Sequence, residues 1–234
     1  MKSFFSSFTI LILVSNFSFS QYKWELGFSS GAGITKNRML TFPENSSIRS
    51  SFSSNLKARY NCAKHFYVSG SLMYVLQGNN YQGWFLGASN EDLFSSQDYI
   101  HRRRQDYILM DISPGVQFGE KTGLNLEIGV YGGRLMNAEG KLISKETPST
   151  VLVRENETED YSTKYDFGLK SRIAIYRQLN SRMTLNLGIN GWYGLRKVYY
   201  GSTKFLITLA DAHGAHKNLA LTAELGVSLK LEKN

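Results

Sequence analysis

The last long polar segment of the chain carries the side chains that most resemble a metal site. Asp211, His213 and His216 form an Asp-x-His-x-x-His pattern, and carboxylate and imidazole groups are common zinc ligands. No closed set of four ligands is visible around them, as a structural zinc site requires. A solvated loop that contains two histidines is therefore the favoured interpretation, and we predict neither a metal nor another cofactor.

Catalysis would need a base within reach of a nucleophile or of an activated water. Asp211 with His213 is a generic pair of this kind, and no set of Ser, His and acid stands out at the strand ends. We therefore predict that the protein is not an enzyme. The alternative is a small envelope enzyme or a metal-binding barrel that uses the last loop.

A run of arginines, Arg102, Arg103 and Arg104, ends the second long polar stretch. Guanidinium groups form strong charge-assisted hydrogen bonds with phosphate, so these residues are candidates for contact with lipopolysaccharide. The alternative is a solvated loop base, because clustered surface charge is usually only solvated.

The same stretch is rich in aromatic residues. Exposed apolar groups on a long loop indicate a contact surface for a partner, and a cap packed into the barrel mouth is an equally good interpretation. The residues concerned are Tyr81, Trp84, Phe85, Phe94 and Tyr99.

Charges of both signs recur on one face of the β-like segments. Side chains alternate across a strand, so each segment can be sorted into two faces. From Ile108 to Phe118 one face is apolar and the other carries Asp111, and the later segments repeat the pattern. Mutual neutralisation inside a narrow barrel is favoured over an ion or proton path, and we expect negligible conductance. The predicted lumen network comprises Glu25, Lys57, Arg59, Asp111, Glu127, Asp166, Lys170, Arg172, Glu224 and Lys230.

The gaps between the β-like segments alternate between long and short, as in bacterial outer-membrane barrels. The pattern predicts an all-β fold, an eight-stranded antiparallel up-and-down transmembrane β-barrel with four long extracellular loops and three short periplasmic turns. The long stretches are Lys36–Ser47, Gln77–Arg104, Asn137–Glu159 and Val198–His216, and the short turns are Asn61–His65, Gly119–Gly123 and Arg177–Arg182.

The polar face is predicted to point inward. A soluble lipocalin-like ligand-binding barrel, which remains a third interpretation, would line its cavity with the apolar face, whereas a membrane barrel turns that face to lipid. Charges at strand centres and glycines on the polar face favour the membrane barrel with its polar face inward. Inward glycines would make room there for long side chains from opposite strands. Bulges in a soluble sandwich are the alternative for these glycines: Gly27, Gly115, Gly129, Gly168, Gly188 and Gly226.

The N-terminus is typical of a secretory signal. Lys2 precedes a short apolar core from Phe4 to Val14, and Ser18 and Ser20 suit cleavage before Gln21. The core is too short for a good transmembrane helix.

We therefore expect a signal peptide over residues 1–20 and a barrel domain over residues 21–234, located in the outer membrane. The single Cys62 excludes an internal disulfide framework. The net charge of +8 is spread along strands and loops without a nucleic-acid motif, so we predict no nucleic-acid partner.

The segment Tyr107–Met136 resembles the PorT-like outer-membrane β-barrel family of Bacteroidetes, through Tyr107, Pro114, Gly129 and Tyr131 among others. Asp166, Phe167 and Gly168 resemble the family's opening of the sixth strand, and Lys217–Leu231 its closing strand. The resemblance implies the fold and the compartment rather than an activity, since the family includes many members with no assigned role as well as accessory proteins of secretion and gliding.

The leading prediction is a non-enzymatic outer-membrane protein that presents long loops to a partner. That partner would be an envelope or secretion-system protein, a surface ligand, or the surrounding lipid and lipopolysaccharide.

Overall fold

The computed structural model describes residues 24–39, 46–87, 95–144, 151–156, 164–196 and 216–231. Regular structure in these ranges consists of β-strands alone. The strands are β1 (Trp24–Met39), β2 (Ser46–Ser47), β3 (Arg49–Asn61), β4 (Phe66–Gly87), β5 (Ser95–Gly119), β6 (Thr122–Ser144), β7 (Val151–Asn156), β8 (Tyr165–Gln178), β9 (Met183–Gly194) and β10 (His216–Leu231).

Eight of these strands close into one antiparallel barrel. Their order is β4-β3-β1-β10-β9-β8-β6-β5, and pairing of β4 with β5 closes the circle. The first and last strands pair along their whole length, from Trp24 with Leu231 to Met39 with His216. Closure satisfies the backbone hydrogen bonds of every wall strand. The predicted eight-stranded fold is confirmed, and the two remaining strands, β2 and β7, pair with β4 and β6 outside the circle.

The strands extend well beyond the length that crosses a bilayer. β4 and β5 contain 22 and 25 residues, whereas a tilted strand needs about 9–11 to span the membrane. They stay in register from Phe66 with Val116 to Gly87 with Ser95. The prediction of a loop over Gln77–Arg104 is therefore wrong for most of these residues. Residues 77–87 of β4 pair with residues 95–105 of β5 and form a two-stranded ribbon.

Other predicted loops are also partly strand. β6 continues to Ser144 and pairs with β7 inside the expected loop Asn137–Glu159. β1 runs to Met39, inside the expected loop Lys36–Ser47. These segments lack the regular alternation of apolar and polar residues that identifies a half-buried strand, but their backbone groups still pair. The fourth expected loop, Val198–His216, lies outside the described residues except for His216.

The three short connections lie where the sequence predicts them. Gly119 closes the β5–β6 turn with a φ of 90°, a left-handed conformation that favours glycine. In the β8–β9 turn, the Asn180 side chain accepts hydrogen bonds from the backbone N–H groups of Arg182 and Met183 at 2.9 and 2.7 Å. Such side-chain caps stabilise tight turns.

The apolar faces point outward, as predicted for a barrel in lipid. Leu26, Met110, Ile128 and Ile173 are among many large apolar side chains exposed on the outer wall, whereas charged and hydroxyl side chains are buried inside. A soluble lipocalin-like barrel and a soluble sandwich are both wrong for this chain, because the outward face is apolar and the sheet is closed. Within the described ranges, no helix is long and apolar enough to span a membrane.

Candidate functional site

The middle of the lumen is filled by a chain of ion pairs. Glu127 accepts from the ammonium of Lys57, from the Tyr67 hydroxyl at 2.8 Å and from Nη1 of Arg172 at 3.4 Å. Nε of Arg172 lies 3.7 Å from Oε2 of Glu224. Four strands therefore contribute charges that neutralise one another across the narrow interior.

A second buried pair crosses the lumen beside this chain. Nζ of Lys170 on β8 lies 2.6 Å from Oδ2 of Asp111 on β5. Ser71 and Ser113 also donate hydrogen bonds to the Asp111 carboxylate. The carboxylate is thereby surrounded by donors from three strands, as a buried charge requires.

The third group of charges lies near the short-turn end and is centred on Arg59. Its Nε lies 3.9 Å from Oε2 of Glu25, and its Nη2 donates to Gln117. The guanidinium carbon lies 3.6 Å from the centroid of the Tyr67 ring, within cation–π distance. Ser228 donates to Glu25 on the other side.

Two residues of the predicted network lie apart from these pairs. Asp166 accepts from the Tyr131 hydroxyl at 3.1 Å and from Nδ2 of Asn218 at 2.7 Å, so neutral groups hold it. Lys230 is half-buried at the end of β10, and among the described side chains no ion pair to it is seen. The other eight predicted residues meet in the three groups above.

The loop-end half of the lumen contains an apolar cluster that the sequence reading missed. Tyr107 and Leu109 on β5 belong to it and pack on the inward face, where a polar lining is expected. The sequence feature that indicates this cluster is that both faces of β4 and β5 become apolar in this region. A close-packed cluster at this level closes the lumen above the ion pairs. The cluster comprises Met73, Val75, Tyr107, Leu109, Tyr131, Leu135, Ala138, Trp192 and Ala220.

In the other half, one cavity between described residues is small. A polar cavity of about 40 Å³ lies beside Glu25, Lys57, Glu127 and Arg172. One water needs roughly 10–15 Å³ by this kind of measure, so the cavity has room for a few waters and no larger solute.

At the loop end of the barrel, arginines from two strands come together. Burial, and then the positive charges of Arg102 and Arg104, lower the pKa of Arg49, so Arg49 lies within electrostatic range of both arginines. Nε of Arg104 lies 3.2 Å from Oδ1 of Asp106, which offsets part of this charge. Arg103 pairs with Asn79 through the backbone, and its side chain lies outside the description. The structure therefore adds Arg49, from a strand that is distant in sequence, to the surroundings of the predicted run Arg102–Arg104.

The predicted contact aromatics lie on a ribbon rather than on an irregular loop. Tyr81, Trp84 and Phe85 belong to the far part of β4, and Tyr99 to β5. Only their backbones are described, and Phe94 lies outside the described residues.

The candidate metal ligands are mostly beyond the described ranges. Asp211 and His213 lie outside them, and His216 begins β10 without a described side chain. In the part of the chain that is described, no group of three or more His, Cys, Asp or Glu could hold a metal ion. The metal interpretation of the last loop stays a prediction.

Comparison with known proteins identifies the domain type. The family model described as the outer membrane protein beta-barrel domain matches residues 18–200. No curated protein matches the sequence.

Several solved structures resemble the chain at low identity. Ail of Yersinia pestis is 13% identical, with 89% of this chain and 99% of that chain covered and a TM-score of 0.42. OprG of Pseudomonas aeruginosa is 9% identical, with 92% and 99% covered and a TM-score of 0.47. The protease OmpT of Escherichia coli is 7% identical, with 93% and 99% covered and a TM-score of 0.45. Likeness at this level says nothing of what the chain binds or does.

Proposed function

Because the chain belongs to the outer membrane protein β-barrel family, we propose that it works in the outer membrane as a non-enzymatic scaffold. In this proposal the barrel anchors the protein, and the paired extensions of its strands present a surface to an envelope protein or a surface ligand. Membership of a secretion or envelope assembly is one concrete form. The likeness of Tyr107–Met136 to PorT-like proteins of Bacteroidetes supports that form.

The observation that carries the proposal is the ribbon of β4 and β5 above a filled barrel. Their pairing continues for eleven residues on each strand, from Gln77 with Gln105 to Gly87 with Ser95, or about 33 Å at the rise of a strand. The end of β6 pairs with β5 and with β7, and β2 pairs with β4, so the ribbon belongs to a wider sheet in the order β2-β4-β5-β6-β7. A broad sheet of this kind offers a rigid platform for recognition.

The filled lumen supports binding over transport. Ion pairs cross its middle and the apolar cluster closes its loop-end half. A solute would have to displace buried, mutually neutralised charges, which costs several kcal/mol per uncompensated charge.

The arginines at the loop end suit an anionic contact within the same proposal. Arg49, Arg102 and Arg104 place three positive charges near one another, with Asp106 as the acidic neighbour. Guanidinium groups form forked hydrogen bonds with phosphate, so the phosphates of lipopolysaccharide are the expected ligand.

Affinity isolation from native outer membrane in mild detergent tests the proposal. In a ribbon-deletion variant, Asn-Gly replaces residues 80–102 and joins Asn79 to Arg103, which are cross-strand partners. Asn-Gly favours a two-residue hairpin turn. The matched variant keeps the ribbon and replaces Arg102, Arg103 and Arg104 with Ala. Heat-dependent gel migration confirms that each barrel is folded.

We expect a stoichiometric envelope protein or surface ligand to be recovered with the unmodified protein and to be lost with the ribbon deletion. The arginine variant should keep that protein and recover less lipopolysaccharide. Recovery of no partner, or recovery unchanged by the deletion, would overturn the scaffold proposal. Unchanged lipopolysaccharide recovery would overturn the arginine contact alone.

A further inference from the structure

The outer wall of the barrel is not uniformly filled with large side chains. One row of cross-strand neighbours passes from β6 to β1, and small residues lie at its centre. Its members are Ile128, Ser171, Gly191, Leu221 and Ile34, each paired with the next. Because Ser171 and Gly191 are flanked by larger side chains, they leave a depression. The resulting groove has a volume of about 510 Å³, within the range of about 300–1,000 Å³ typical of small-molecule sites.

The groove is apolar along its length. Leu169, Tyr193 and Leu219 form its wall on the loop side, and they are themselves cross-strand neighbours. No carboxylate is found among its described lining residues. A surface of this composition is suited to a hydrocarbon chain rather than a polar ligand.

The groove descends from the loop side of the barrel into the middle of the wall. Ile34 lies ten residues along β1 from Trp24, whereas Ile128 lies six residues along β6 from Thr122. Both counts start at the short-turn end of the barrel. The row crosses five strands, and neighbouring strands lie about 4.8 Å apart, so the row is roughly 20 Å long. This length is comparable with one acyl chain in one leaflet of a bilayer about 30 Å thick.

Positive charge lies at the loop-side end of the groove. Lys36 lines it on β1, two residues beyond Ile34. Nζ of Lys217 on β10 lies 5.5 Å from the centroid of the Tyr193 ring. An amphiphile held here would therefore meet ammonium groups at its head and an apolar cleft below it.

We infer that this groove binds one acyl chain of a phosphorylated lipid of the outer leaflet, the lipid A part of lipopolysaccharide. Its phosphate pairs with Lys36 and Lys217. A second copy of the barrel is the other candidate occupant. Two-fold contact through this face would bring the lysines of both copies together, and like charges oppose that arrangement. The site lies on the wall formed by β6, β8, β9, β10 and β1 and does not depend on the ribbon of β4 and β5.

The test uses the full-length protein in detergent, delipidated and then titrated with lipid A, with retained lipid counted by native mass spectrometry. The charge variant is Lys36→Ala with Lys217→Ala. Its control is Lys64→Ala with Lys121→Ala, which removes two exposed lysines at the short-turn end. The groove variant is Gly191→Leu. Its control is Gly132→Leu, since Gly132 also faces outward and has nothing within 4 Å of an added Cβ.

We expect the charge variant to bind lipid A about tenfold more weakly or worse, and Gly191→Leu to lose the same lipid. Both controls should bind like the unmodified protein, and lipid A without its phosphates should bind the unmodified protein as weakly as the charge variant binds lipid A. Equal retention by all variants would overturn the inference. A dimer that Gly191→Leu converts to a monomer, with lipid binding unchanged, would assign the groove to a second copy instead. If Gly191→Leu does not fold, the charge variant still tests the inference, because its two lysines are only half-buried on the outer wall.

Discussion

Lys170 and Asp111 lie on strands that do not pair with each other, yet Nζ of Lys170 is 2.6 Å from Oδ2 of Asp111 and each side chain is only 1% exposed. β8 and β5 are separated by β6 in the sheet, so the contact crosses the lumen. It links the barrel wall internally in addition to the backbone hydrogen bonds.

Replacing Lys170 with Met should strongly destabilise the barrel, because Asp111 would remain buried without its cation. We expect the free energy of unfolding to fall by about 3–5 kcal/mol, measured by urea titration in lipid vesicles. The double variant Lys170→Met with Asp111→Leu should recover much of that loss. As a control, Lys64→Ala, which breaks an exposed pair with Glu120, should cost no more than about 1 kcal/mol. A Lys170→Met barrel as stable as this control would contradict the importance of the buried pair.

The ring of Tyr67 occupies the space that a side chain at position 115 would fill, and Gly115 leaves this space open. An added Cβ would lie 2.5 Å from Cζ of Tyr67, and Tyr67 is held there by its hydrogen bond to Glu127. Gly115→Ala should therefore lower the free energy of unfolding by about 1–3 kcal/mol.

Gly132→Ala is the matched control, since nothing lies within 4 Å of its added Cβ, and it should leave stability nearly unchanged. In a Tyr67→Ala background, Gly115→Ala should cost much less than it does alone. If the two costs are simply additive, the ring of Tyr67 is not what requires the glycine.

Strand number, antiparallel order and face orientation could all be predicted from the sequence, because they follow from a period of two and from turn spacing. In Ile108–Phe118, for example, lipid on one face and charge on the other leave a clear alternation. The extension of β4 to Gly87 could not be predicted in this way, because Gln77 to Gly83 is polar on both faces.

Which charged side chains pair with each other inside the lumen could not be predicted from the sequence either. Eight of the ten predicted charges do meet, but which carboxylate pairs with Lys170 depends on strand tilt and register across the barrel. Charge alone groups Asp166 with the ion pairs, whereas in the structure Tyr131 and Asn218 donate hydrogen bonds to it. Arg49 joins the arginines at the loop end only through the fold.

Trp24 and Trp192 should report opposite environments. The side chain of Trp24 is 51% exposed on the outer wall, whereas that of Trp192 is 4% exposed inside the apolar cluster. In variants that retain one of them, with the other and Trp84 replaced by Phe, brominated lipid should quench Trp24 strongly and Trp192 weakly. Acrylamide should also reach Trp192 poorly. Strong quenching of Trp192 by brominated lipid would contradict the assignment of inner and outer faces.

The pure, folded protein should show negligible conductance in planar bilayers. Two separate layers block the lumen, the ion pairs around Arg172 and the apolar cluster that includes Tyr107 and Trp192. Arg172→Ala removes one cation from the first layer but leaves the second layer intact, so it should lower stability without opening a pore. Because an eight-stranded barrel is barely wide enough for its own side chains, closure by either layer should suffice.

Single-channel recording on heat-modifiable, correctly folded samples checks both the unmodified protein and Arg172→Ala. A stable, reproducible current from the unmodified protein would contradict a closed lumen. A current from Arg172→Ala alone would instead show that the ion pairs, and not the apolar cluster, close the barrel.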